Sequence, residues 1–157
     1  MTRQIRLVVY HSCLFAAHWS FFVPSIRDAN VGSRLHVTGD VRSGFQHAIS
    51  RNYDLRQTAR SHTTYLLADI DDQYVEDYPS VEDIPEAPVE PVCKLEEVVF
   101  SIPAPGPSLR RSSSGANVAR VQQLNCQDWI KECVDVLVSQ GIFPNSAVDA
   151  LKNAPRN

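Results

Sequence analysis

Between Ile5 and Ile70 the apolar positions fall in short runs that alternate with polar ones, the period expected of half-buried strands. Ile5–Tyr10 is rich in β-formers. In His18–Val23, Trp19, Phe21 and Val23 share one face while His18, Ser20 and Phe22 share the other. Pro24 and the stretch Asn30-Val31-Gly32 punctuate a loop, and Arg34–Thr38 follows as a strand with Leu35 and Val37 opposite His36. Gly39-Asp40 reads as a turn, and Phe45–Tyr53 and Thr63–Ile70 read as two further strands. The simplest arrangement is an antiparallel meander of about five strands.

The pattern then breaks. Asp71, Asp72, Glu76, Asp77, Glu82, Asp83, Glu86 and Glu90 are interleaved with Pro79, Pro85, Pro88 and Pro91, so residues 71–92 read as an acidic, Pro-rich crossing loop. Cys93–Ile102 places Leu95, Val98, Val99 and Ile102 on one side of a short helix. Residues 103–118 read as a mobile Pro/Ser-rich loop. The strongest helical period runs from Asn125 to Gln140, where Trp129, Ile130, Cys133, Val134, Leu137 and Val138 make a broad apolar face. Asn125 is placed to cap its start, and Gly141 its end. A last short helix is expected over Ala147–Lys152 with Ser146 as its cap. The fold class is therefore α+β: one domain over 1–157, with an antiparallel sheet packed against a C-terminal helix.

Composition adds mainly exclusions. At 157 residues, 43% hydrophobic and 21% charged, the chain can bury a core without staples. A net charge of −3 argues against a nucleic-acid partner. The apolar run Leu7–Tyr10 is too short for a signal core, and no stretch approaches the roughly 20 apolar residues of a membrane helix, so a cytoplasmic protein without an integral membrane segment is expected. Oligomeric state is not legible. The four cysteines, Cys13, Cys93, Cys126 and Cys133, form no C-x-x-C pair, and the five histidines are dispersed, so neither a metal nor another cofactor is expected.

Cys126 stands apart from the other thiols because it opens the long helix. Unpaired N–H groups and the helix dipole favour an anion there, which predicts a stabilised thiolate. A nucleophilic thiol also needs a base, and a group to orient that base. His18 and His36, on neighbouring predicted strands, are the candidates for those two places; Asp40, Asp54 and Gln127 are alternatives for the orienting one.

The segment His18-Trp19-Ser20-Phe21-Phe22-Val23, then His36, then Asn125-Cys126 opening a helix, resembles the circularly permuted papain-like group. That group includes the lecithin:retinol acyltransferase family and its small phospholipase/acyltransferase relatives. The resemblance implies Cys126 as nucleophile, His18 as general base and His36 as the orienting member. Trp19, Asn125, Gln127 and Trp129, which surround the reactive residues in these motifs, are the expected substrate-binding set. Gln127-Asp128-Trp129 stands where those relatives carry Glu-His-Phe. The phrase from His36 through Gly39-Asp40 to Arg51-Asn52-Tyr53-Asp54 also resembles small fungal proteins with the same Asn-Cys-Gln-x-Trp helix start.

The expected function is a cysteine-dependent hydrolase or acyltransferase acting on an ester, thioester or amide through a thioester at Cys126. The alternatives are a non-hydrolytic tailoring or cyclisation role in a small-molecule biosynthetic pathway, or a catalytically inactive interaction module.

Overall fold

The computed structural model describes residues 1–107 and 124–157. Five long strands form as the alternation predicts: β1 (Thr2–Tyr10), β2 (His18–Pro24), β3 (Val31–Asp40), β4 (Gly44–Asp54) and β5 (His62–Asp71). A sixth, β6 (Ile84–Ala87), lies inside the segment expected to be a bare crossing loop, after a 3-10 turn at Asp72–Tyr74. The sheet is antiparallel with order β5-β1-β2-β3-β4-β6. Two departures from a plain meander follow: β5 returns to pair with β1, and β6 covers the free edge of β4. Pro85 is tolerated there because an edge strand needs no donor on its outer side. Side chains of β4 hold the crossing in place, with Ser50 Oγ donating to Pro85 O at 2.8 Å and Asn52 Nδ2 donating to Ser80 O and Glu82 O at 2.7 and 2.8 Å. Of the loop expected at 103–118, residues 108–118 lie outside the described residues.

Three helices, α1 (Lys94–Ser101), α2 (Cys126–Ser139) and α3 (Ser146–Asn153), pack on one face of the sheet. That face is lined by Leu7, Val9, Trp19, Phe21, Leu35, Val37 and Ile49, which meet Val99, Trp129, Ile130, Cys133 and Leu137 in one core. At the midrange transfer value, a fully buried side chain of this kind contributes about 1.5–3 kcal/mol. The opposite face carries a smaller cluster of Val8, Tyr10, Phe22 and Leu55, with Tyr53 against it.

The ends of α2 are set by local chemistry. Asn125 Oδ1 accepts from Gln127 N at 2.9 Å while Asp128 Oδ2 accepts from Asn125 N at 2.8 Å, a reciprocal capping box. At the far end Gly141 takes φ +72°, the left-handed conformation that closes a helix, and Leu137 O receives Ile142 N and Phe143 N. Helix α3 starts one residue earlier than expected: Ser146 is its first residue, and Asn145 stands at the cap without a side-chain bond.

A buried ion pair ties α1 to the sheet. Arg51 and Glu96 are 1% and 2% exposed and join through Nη2–Oε2 at 2.9 Å. Arg51 also donates through its Nη groups to Ser33 Oγ and Glu90 O, and Glu96 accepts from Val92 N, so both members of the pair have further partners.

Candidate functional site: two histidines and a thiol at the end of strand β2

Alternation in β2 and β3 sends His18 and His36 to the face away from the helices. Their even-numbered neighbours confirm the parity: Tyr10 pairs with His18 across β1–β2, and Phe22 pairs with Arg34 across β2–β3. His18 Nε2 lies 3.0 Å from His36 Nδ1, with the two rings edge-on at 81°. Neither Asp40, Asp54 nor Gln127 meets His18. Asp40 binds the N–H groups of Arg42 and Ser43 in its turn, and Asp54 binds Arg56. Burial disfavours the charged form of both rings, and Arg34 and Arg60 add repulsion. His18 is pushed down to about 4, and His36 further, to about 2. Both imidazoles are thus neutral at neutral pH.

Cys126 comes from the helix side of the sheet, and its sulfur meets the backbone at the start of β2. Sγ lies 3.9 Å from Ala17 O, and the N–H of Trp19 points at it. These two backbone groups flank His18. They are open to a thiol because the β2–β3 ladder runs only from Pro24–Gly32 to Phe21–Leu35. Beyond that point β2 has no partner on its β3 side, although Trp19 still pairs with Val9 of β1. Ala17 N donates instead to Arg156 O, and Gln127 Nε2 bonds both Ala17 O and Arg156 O at 2.9 Å. The sulfur therefore stands beside the backbone of His18, whose Nδ1 is the ring nitrogen nearest that backbone and the one His36 leaves open. No hydrogen bond joins Cys126 to His18 among the described residues in this resting arrangement.

The thiol is not activated as its position predicts. Burial pushes Cys126 above the ordinary thiol range, aided by Asp128, and the N–H groups of Trp19, Gln127 and Cys126 itself offset this only in part. A helix start favours the thiolate, but at 7% exposure desolvation prevails. Of the other thiols, Cys13 is exposed, while Cys93 and Cys133 are also raised by burial.

The residues around the histidines are cationic and aromatic. Arg34 Nη1 donates to Tyr10 Oη at 3.2 Å, and its guanidinium sits 4.5 Å from the Tyr53 ring centre and 5.6 Å from that of Tyr10. Arg60 covers Tyr10 at 4.6 Å, and Tyr10 Oη meets Tyr53 Oη at 3.1 Å. Burial and that contact keep the Tyr10 phenol neutral, raised to about 12. A cavity of about 370 Å³ opens between β3, β4 and β6, with Arg34, His36, Thr38, Gln46, Glu86 and Val89 on its walls. Arg34, Tyr10 and Tyr53 escaped sequence reasoning, although strand parity could have found them: they share the outward face with the two histidines.

The sequence profile of a family of unknown function, DUF6540, matches residues 5–144, a span holding both histidines and the whole of α2. The chain belongs to DUF6540. No curated protein and no solved structure matches it.

In this DUF6540 chain the four residues expected to bind substrate have other partners. Trp19 and Trp129 are fully buried, and their indole N–H groups donate to Pro155 O and Ile102 O, both at 3.0 Å. They build the core instead of lining a cleft, because the odd face of β2 and the inner face of α2 meet there. Asn125 is spent on the cap, and Gln127 clips the start of β2 to the C-terminal segment. Among the described residues no group of three His, Cys, Asp or Glu could hold a metal ion, and no helix is long and apolar enough to cross a membrane.

Proposed function

We propose that this DUF6540 protein is a cysteine-dependent acyl hydrolase or acyltransferase of the permuted papain-like kind, with Cys126 as nucleophile, His18 as base and His36 as the group that orients it. The observation that carries this reading is the 3.0 Å His18–His36 bond beside a thiol seated on the backbone of residues 17 and 19. If His18 Nε2–H donates to His36 Nδ1, His18 Nδ1 is left with a free lone pair. His18 then takes the Cys126 proton as sulfur attacks an acyl carbon, and returns it to the leaving oxygen, nitrogen or sulfur as the tetrahedral species collapses to a thioester. Water, or a second nucleophile deprotonated by the same His18, attacks the thioester carbonyl and restores the thiol. The Cys126 N–H is the donor assigned to the oxyanion formed in both halves, since the N–H groups of Gln127, Asp128 and Trp129 are held by Asn125.

The test is alkylation by a small electrophile, located by peptide mass spectrometry in a Cys13→Ser background, since Cys13 is the exposed competitor. Cys126 is expected to label first, and His18→Gln to slow that labelling about tenfold or more, within the range for positioned acid–base partners. Labelling of Cys126 that is indifferent to His18 would sink the reading. One observation favours a second reading, a non-covalent binding or tailoring role: the Cys126 thiol is buried and raised. On that reading Cys126→Ser keeps function, whereas covalent catalysis loses nearly all of it.

A further inference from the structure

The outward face holds a cation, Arg34, that forms no ion pair among the described residues. Six ion pairs join described residues, involving Arg3, Arg51, Arg56, Lys94 and Lys131; Arg34 takes part in none. It is half-buried, stacked on Tyr53 and bonded to Tyr10, so its position is fixed without a carboxylate. Its Nε is buried with no hydrogen-bond partner, as is Ser20 Oγ on the same face of the sheet. A guanidinium withdrawn from water, stiffened by aromatic rings and left with an idle donor is a costly arrangement unless an anion visits it. The arginine stands on the wall of the 370 Å³ cavity, next to His36.

We propose that this cavity binds an oxyanion, a carboxylate or phosphate, at the Arg34 end. Taking that group as part of the substrate rests on the reading of Cys126 and His18 above; the anion site itself does not. Glu86 lies on the cavity wall contributed by β6, so the acidic group sits towards β3 and the rest of the ligand extends along Thr38 and Gln46. Arg60, above Tyr10, adds a second positive charge on this face. Such a site selects acyl donors bearing an acidic substituent over neutral ones.

Two measurements on the full chain test this. In thermal unfolding, inorganic phosphate and, separately, acetate are added against chloride of equal ionic strength. Stabilisation by one or both oxyanions is expected, with apparent affinity falling about tenfold or more in Arg34→Gln and unchanged in Arg56→Gln. Which oxyanion is the stronger distinguishes a phosphate from a carboxylate ligand. In case Arg34→Gln does not fold, the His18 and His36 ring resonances of the wild-type protein are titrated with phosphate; a bound anion offsets Arg34 and raises both pKa values, and chloride does not. No oxyanion-specific response in either experiment, or an equal response in Arg34→Gln, overturns the inference. Cys126→Ser is expected to bind the anion as wild type does. Anion binding that fails while Cys126 labelling still depends on His18 defeats this inference alone; the converse defeats the catalytic reading alone.

Discussion

The bonded histidine pair makes the fold sensitive to mild acid. In the unfolded chain each imidazole protonates near pH 6.5, whereas in the folded protein His18 resists protonation down to about 4 and His36 lower still. A group whose folded pKa is depressed contributes stability that is present above the unfolded value and lost as pH falls towards the folded one. For His18 the window is therefore pH 6.5 to 4. One pKa unit corresponds to 1.36 kcal/mol, so its ceiling is about 3 kcal/mol over that window. His36 titrates with it as a coupled pair, and together they impose a slope of at most about 2.7 kcal/mol per pH unit. Set against a typical stability of about 5–15 kcal/mol, that is enough to destabilise the protein severely by pH 4. Protonation of whichever ring accepts in the pair also turns its accepting nitrogen into a donor, which breaks the 3.0 Å bond, whereas protonation of the donating ring leaves it in place. The assay is urea unfolding at intervals from pH 7 to pH 4.5, for the wild type and for His36→Gln and His18→Gln. A steep loss below pH 6.5, roughly halved in each variant, is expected. The lowered carboxylates Asp40, Asp54 and Asp77 act from about pH 5 downward, so a slope that sets in near pH 6.5 is not theirs. Stability that is level between pH 6.5 and 4.5, or a slope the variants leave unchanged, refutes the reasoning.

Three other outcomes follow from named contacts. Glu96→Gln leaves the Arg51 guanidinium buried without its counter-charge and is expected to lose about 3–5 kcal/mol in denaturant unfolding; a loss under about 1 kcal/mol would mean the pair is solvated in solution. Asn125→Ala removes one half of the α2 capping box, with an expected cost of about 1 kcal/mol and no change in unfolding cooperativity. Gln127→Leu strips the carbonyls of Ala17 and Arg156 of a shared donor, at about 1–3 kcal/mol. Because it frees the start of β2, it is also expected to quicken hydrogen exchange at Ala17 and Trp19, measured residue by residue.

Much of the architecture was legible because strand alternation is a short-range signal. The helix from Cys126, its Asn125 and Gly141 ends and three of the five long strands lie within a residue or two of where the pattern puts them; β1 and β3 each begin three residues earlier, and β3 takes in Val31-Gly32 and Gly39-Asp40, which read as loop and turn. The pairing of His18 with His36 was legible for the same reason, since two adjacent strands each carried one histidine on the polar side. Strand β6 was not, because Ile84-Pro85-Glu86-Ala87 has no alternation and a proline; its conformation is imposed by the free edge of β4. The return of β5 to β1 depends on which edge was vacant, a property of the whole sheet. Arg51 and Glu96 could not be matched from the sequence, for 45 positions separate them and each alone reads as a surface charge. The raised Cys126 thiol was not legible, because a helix start is visible in sequence and the burial that opposes it is not.

Strands β2 and β3 divide their labour by parity. Trp19, Phe21, Leu35 and Val37 hold the helices, and His18, Ser20, Arg34, His36 and Thr38 face outward. Mutational history can therefore run on two separate tracks along the same two strands. Exchanges at outward positions retune what is bound while the helix-side packing stays untouched. A library randomised at positions 20, 34 and 38 alone would search ligand preference within a constant scaffold, whereas a single residue inserted within β2 would exchange the two tracks and abolish both at once.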